Sequence, residues 1–217
     1  MNIPKWLKSY LKSEDIEKIT QAIKNAEKST AGEIVPMIVN RSSTVGHVPV
    51  LIFTLLTALF FMLNGFEHQA KLIGGQWFWY LADIALILIL TAIFSRFPCL
   101  QRLLTPHADQ ALQVNARSII EFYESNIQNT RDATGILIFI SMFEHRAVVL
   151  ADKAINEKVD KNTWNNICDD LITGIKQKKL GKAISEAVLE CGKIMEPHFP
   201  IQPDDTNELK DQLIIKY

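Results

Sequence analysis

Cysteine is scarce in this chain and never paired. Cys99, Cys168 and Cys191 form no CxxC and no metal-ligand spacing. An odd, dispersed set excludes a disulfide framework and fits a reducing compartment. The two later cysteines fall on apolar helix faces, where packing is their expected role. There is no GxGxxG, Walker loop, GxSxG or HExxH, so the common dinucleotide, phosphate-loop, hydrolase and zinc-peptidase signatures are absent. His47, His68, His107, His145 and His198 are scattered rather than clustered. An excess of charge is lacking too. The 23 basic and 24 acidic residues leave a net charge of -1, and no overall field selects nucleic acid as a partner.

Charge is also missing locally. From Ser42 to Phe66 there is no Asp, Glu, Lys or Arg, and from Leu72 to Ser95 the only formal charge is Asp83. Each stretch approaches the ~20 residues that cross a hydrocarbon core. Neither is a signal peptide, because the first starts far from Met1 and no small-residue cleavage site follows it. The alternative is a buried core helix pair, but two adjacent long runs exceed what one small core would cover. The expected spans are 46–66 and 74–97. Lys28 and Arg41 precede them, Arg96 and Arg102 follow, and the connector 66–71 holds only Lys71. The positive-inside rule then puts both termini in the cytoplasm of a multi-pass protein of the cell (inner) membrane. Trp77, Phe78, Trp79 and Tyr80 suit an aromatic belt at the outer interface. Asp83 lies about 9 Å deeper along a helix. An acid at that depth is a functional candidate. The alternatives are hydration near the interface or a hydrogen bond from Thr54 or Thr57.

The remaining sequence alternates helix and strand. Residues 13–30 carry Ile16, Ile19, Ile23 and Ala26 at helical spacing, with Ser13 as cap and Gly32 as terminator. "EIVPMIVN" reads as a strand, and Pro36 places it at a sheet edge or at a bulge. Thr105 and Pro106 open a helix whose predicted buried face is Leu112, Ala116, Ile119, Tyr123 and Ile127. His107, in its first turn, is expected to be structural. Strands "GILIFISM" and "AVVLA" follow around an FEHR turn. Two amphipathic helices come next. One carries Trp164, Ile167, Cys168, Leu171, Ile172 and Ile175. The other carries Leu180, Ala183, Ile184, Ala187, Cys191 and Ile194. The acidic tail 201–217 reads as a linker, with a short helix in the last ten residues.

The runs "TAGEIVPMIV", "RSIIEFYESNIQNTRDATGILIFISMFEHRAVVLADKAI", "TWNNICDDLITGIK" and "GKAISEAVLECGKIMEPHFP" resemble the TPM domain family. In particular they resemble its bacterial branch, in which two transmembrane helices interrupt the domain. The resemblance covers about residues 13 to 200. It implies a small Rossmann-like α/β fold in the order α-β-[transmembrane hairpin]-α-β-β-α-α, discontinuous over 1–41 and 98–200. Some plant members of the family are described as acid phosphatases, and others serve maintenance of photosystem complexes. An animal member is accessory to a receptor, and some members bind calcium at an acidic pocket. No metal-ligand set transfers residue by residue to this chain.

Sheet geometry sorts the charges without the family. A long crossover ending in a helix makes the first two strands parallel, and a tight turn makes the third antiparallel to the second. One rim then gathers Glu33, Asp132 and Asp152, and the other gathers Asn40, Arg41, Glu144, His145 and Arg146. The first is expected to face the cytosol and the second the membrane, where Arg146 would contact lipid headgroups. The acidic rim is a candidate site for Ca2+, which takes about six to eight oxygens, or for Mg2+ with its own waters. The alternative is solvated charge at strand ends. Glu144, His145 and Arg146 point in different directions along the chain and read as a polar turn rather than an acid–base site. Two functions remain open. One is a membrane-anchored accessory module for the assembly or maintenance of other membrane proteins, its partners the bilayer and those proteins. The other is a divalent-metal-dependent phosphatase.

Overall fold

The computed structural model describes residues 3–63, 77–160, 162–202 and 206–217. The expected connector, the first residues of the second span, the side chains of Trp77 and Phe78, and positions 203–205 of the tail lie outside the described residues. So does His68.

Among the described residues the order of elements is α1 (Ser13–Ala26), β1 (Glu33–Val39), α2 (Val48–Met62), α3 (Trp77–Phe94), α4 (Pro98–Leu104), α5 (His107–Glu124), β2 (Gly135–Ser141), β3 (Arg146–Ala151), α6 (Lys153–Lys158), α7 (Thr163–Lys176), α8 (Leu180–Met195) and β4 (Ile214–Lys216). This is a mixed α/β fold with a four-stranded sheet, ordered β3-β2-β1-β4. The chain forms two compact units, Met1–Ser42 with Ala111–Tyr217, and Ser43–Gln110.

In the α/β unit, β1 and β2 pair in parallel, Glu33 opposite Gly135, and β2 and β3 pair antiparallel. All seven residues of β1 and of β2 are buried, because both sheet faces are covered. Ile34, Ile38, Ile136, Ile138 and Ile140 face α1, α7 and α8, and form the larger core with Ile19, Ile23, Trp164, Leu171, Ile184 and Val188. Gly192 lets α8 approach α1 closely, since a Cβ there would come within 2.7 Å of the Ala26 Cβ. Val35, Met37, Val39, Leu137 and Phe139 face the other way, toward Val114 and Phe122 of α5.

Several expectations are corrected. β1 is an interior strand, not an edge, because β4 pairs with it from Met37 to Val39. Pro36 is tolerated by parity. Glu33 N–H bonds toward β2, whereas Ile34 and Asn40 donate to the opposite side. The missing N–H of Pro36 therefore points to the β4 side, one residue before that ladder begins. The last residues are strand β4 rather than a helix. Helix α1 ends at Ala26, well before Gly32, and Lys12 rather than Ser13 occupies its cap, its N–H bonded to Asp15 Oδ2 at 2.9 Å. The largest correction concerns α5. Most of its predicted buried face points outward: Leu112, Ile119 and Tyr123 are 67%, 48% and 59% exposed and Ala116 is exposed, while Ile127, beyond the helix end, is buried as expected. The sheet instead receives Val114, Ser118, Glu121 and Phe122, about half a helical turn away.

In the second unit α2 packs against α3, and large side chains including Leu55, Phe61, Leu81, Ile84 and Leu88 are exposed. α2 has 15 residues and α3 has 18, or ~22 and ~27 Å against a ~30 Å hydrocarbon core. Among the described residues no single helix is long and apolar enough to cross a membrane. Trp79–Phe94 and Pro98–Leu104 meet that measure only together, with a 94° bend between them.

Candidate functional site

The sheet has two rims, and their charges behave differently. At the rim where β2 turns into β3, Glu144 is 2% exposed. Its carboxylate accepts the backbone N–H of Ser42 at 3.1 and 3.3 Å, and the hydroxyl of Ser141. The Ser42 and Ser141 hydroxyls are 2.8 Å apart. His145 takes a left-handed conformation, φ 50°, which closes the four-residue reversal from Met142 to His145. The Arg41 guanidinium lies 4.0 Å from the centre of the Phe143 ring. The turn is thus a polar lock that holds the exit of β1, with the oxygens of Glu144 spent on structure. Arg146 opens β3 opposite Ser141 and is half-buried.

At the opposite rim Glu33 pairs with Gly135, and the Asp152 N–H bonds the Gly135 carbonyl at 2.9 Å. Glu33 and Asp152 therefore share a rim, with Asp132 exposed in the turn before β2. Their surroundings differ. The Glu33 carboxylate accepts the backbone N–H groups of Glu208 and Leu209 at 3.0 and 3.2 Å. Burial raises its pKa, and those two donors oppose the rise. Beside it Glu27 accepts the Ile34 N–H at 3.0 Å, and burial pushes its carboxyl up to about 8. These two acids and Asp211 line a cavity of about 300 Å³. Sequence reasoning missed Glu27 and Asp211, because one closes a helix and the other lies in a tail that only the fold brings back.

Asp152 lines a different and larger cavity, of about 580 Å³, between α5 and the end of β3. Its Oδ1 caps α6 by accepting the Lys153 N–H at 2.6 Å. Its Oδ2 is buried and has no hydrogen-bond partner. Among the described residues no group of three or more His, Cys, Asp or Glu side chains is placed to hold a metal ion. The structure thus brings Glu33 together with Glu27 and Asp211, and sets Asp152 apart in its own groove.

Asp83 is half-buried on α3, and its Oδ2 is a buried atom without a partner, as is Thr57 Oγ1. Thr54, the other expected donor, bonds its own helix at Val50 O, 2.9 Å away. Cys191 is fully buried and Cys168 half-buried, and burial raises both thiols. Both belong to packing.

Residues 103–194 match the model of the TPM domain, a stretch that carries α5, β2, β3, α6, α7 and most of α8. A TPM domain is present in this chain. No curated protein matches the sequence. The NMR structure of BA42 protein from the psychrophilic bacterium Bizionia argentinensis is similar at a TM-score of 0.59 and 18% identity, over 95% of this chain and 96% of that one. At that identity the likeness concerns the fold.

Proposed function

We propose that this protein is a membrane-anchored TPM domain that acts as a binding or accessory module for the assembly or maintenance of membrane proteins. The observation that carries the reading is the second unit. Two mutually packed helices, α2 and α3, present long aliphatic and aromatic side chains outward, an arrangement that water disfavours and lipid does not. Lysine and arginine flank the pair on its terminal sides, which supports cytoplasmic termini. On this reading the insertion anchors the α/β unit and the β2–β3 turn faces the bilayer, with Arg146 near headgroups. The test is fractionation followed by alkaline carbonate extraction. Retention in the pellet supports the anchor, and release into the supernatant removes it. Cysteine accessibility at positions 145 and 152 tests the orientation: stronger protection at 152 reverses it.

The second reading is a divalent-metal-dependent phosphatase, supported by the shared rim of Glu33 and Asp152 and by the family analogy. A bound cation would act there as a Lewis acid. Calorimetric titration with Ca2+ and Mg2+, with p-nitrophenyl phosphate turnover by wild type and Asp152→Asn, tests it. No heat of binding and equal turnover remove it.

A further inference from the structure

Two features of the α/β unit have no role in the fold and lie side by side. The first is the outward stripe of α5. Leu112, Ile119, Ile120 and Tyr123 are each about half exposed or more. Monomeric proteins rarely leave several large apolar side chains together in water unless the patch binds something. The second is Asp152 Oδ2, a carboxylate oxygen removed from solvent with no donor facing it. A buried acceptor without a partner is costly. Both border one groove, with Ile119, Phe122, Tyr123 and Leu150 as its apolar wall and Asp152 and Glu157 as acids.

From this juxtaposition we infer that the groove receives a segment of a partner protein carrying an arginine or lysine beside apolar residues. The cation's N–H would meet Asp152 Oδ2, and the apolar side chains would cover Ile119 and Tyr123. This rests on the accessory-module reading and names the chemistry of its partner. Three observations choose the occupant. The groove's ionisable side chains are two acids, Asp152 and Glu157, against one base, Lys153. The surface therefore favours a cation and disfavours anionic headgroups. The groove, about 580 Å³, has the size and mixed lining of a side-chain or small-ligand pocket. Strand addition to the β3 edge is obstructed. The Asp152 N–H points to β2, so by alternation Val149 and Ala151 present their backbone groups to the open edge. The Asn156 amide already donates to the Ala151 carbonyl. The partner is therefore held by side chains.

The experiment uses the full chain in nanodiscs of zwitterionic lipid. The probes are a synthetic amphipathic peptide with leucines at i, i+3, i+4 and i+7 and one central arginine, the same peptide with glutamine in its place, and anionic phospholipid vesicles. Calorimetry should show the arginine peptide binding about tenfold more tightly than the glutamine peptide. Asp152→Asn should abolish that preference while Asn still caps α6, which an unchanged thermal transition verifies. Ile119→Ser and Tyr123→Ala should weaken both peptides. Equal binding of the two peptides, a preference that survives Asp152→Asn, or no peptide binding overturns the proposal. So does vesicle binding that Ile119→Ser and Tyr123→Ala remove while peptides remain inert. A photo-crosslinker at position 120 in native membranes separates this from the broader reading. A cross-linked membrane protein with inert peptides sinks only the ligand chemistry. Peptide binding without any membrane-protein adduct sinks only the accessory role.

Discussion

Glu144 holds the backbone N–H of Ser42, 102 positions earlier in the sequence. Ser42 is the last residue of the α/β unit before the apolar insertion begins. A buried carboxylate that accepts from two donors, the Ser42 N–H and the Ser141 hydroxyl, fixes the point where the chain leaves the sheet. Glu144→Ala leaves the Ser42 N–H and the Ser141 hydroxyl without their acceptor, and should cost about 2–3 kcal/mol. Glu144→Gln keeps an acceptor oxygen and should cost about 1 kcal/mol. Thermal unfolding of the full protein, followed by near-UV circular dichroism, checks the order. Equal transitions for the two variants would contradict this role.

Glu27 links stability to pH. Its carboxyl is raised from 4.5 to about 8 in the folded protein, so between those values the native state binds more protons than the unfolded chain. The sign follows: this group favours the fold most below pH 4.5, and its contribution is lost as pH rises toward 8. Glu33, also raised by burial, acts in the same direction. Glu27→Gln keeps the acceptor for the Ile34 N–H and should flatten the fall in stability across that window, gaining most at pH 8. Urea midpoints at several pH values measure it. A variant whose pH profile parallels wild type would rule the assignment out.

Strand β4 is secured from α5. Glu121, 5% exposed, accepts a hydrogen bond from Lys216, while Arg117 donates to the Tyr217 carbonyl and to the Arg41 carbonyl. Glu121→Ala removes the carboxylate partner of Lys216, leaving its ammonium with Ser125 Oγ at 3.4 Å, and should loosen β4 before the rest of the sheet. The amide of Asn40, bonded to the Lys216 carbonyl, should then exchange about tenfold faster or more. The amide of Met142, bonded to Val39, should not. Hydrogen exchange read by mass spectrometry distinguishes local release from global loss.

Gly135 begins β2 against the short turn Ile127–Asn129. A Cβ at this position would stand 2.2 Å from the Ile127 carbonyl oxygen, which is backbone and cannot swing aside. Gly135→Ala should cost about 1–3 kcal/mol by overpacking, visible as a lower urea midpoint. Gly46→Ala, where a Cβ meets nothing within 4 Å, is the control and should leave the midpoint nearly unchanged.

Local periodicity made much of this fold legible. The stripes of α7 and α8 are buried as their 3.6-residue spacing requires, from Trp164 to Ile175 and from Leu180 to Cys191. The strand directions followed from connection lengths, a long crossover before β2 and a tight turn before β3. The shared rim of Glu33 and Asp152 came with them. What periodicity could not decide was which face of α5 meets the sheet. That helix carries two apolar stripes, one through Ile119 and Tyr123 and one through Val114 and Phe122. The second contains Glu121, which by itself argues for solvent. Only the tertiary structure supplies Lys216 and Arg117 to neutralise it. Strand β4 was hidden for the same reason. Three residues, Ile214 to Lys216, have no pattern of their own and become a strand only because β1 offers an open ladder. The sequence by itself determined the elements whose stability is local. The tertiary structure decided which helix face is buried, where the tail docks and which acids stand together, because each depends on partners far away along the chain.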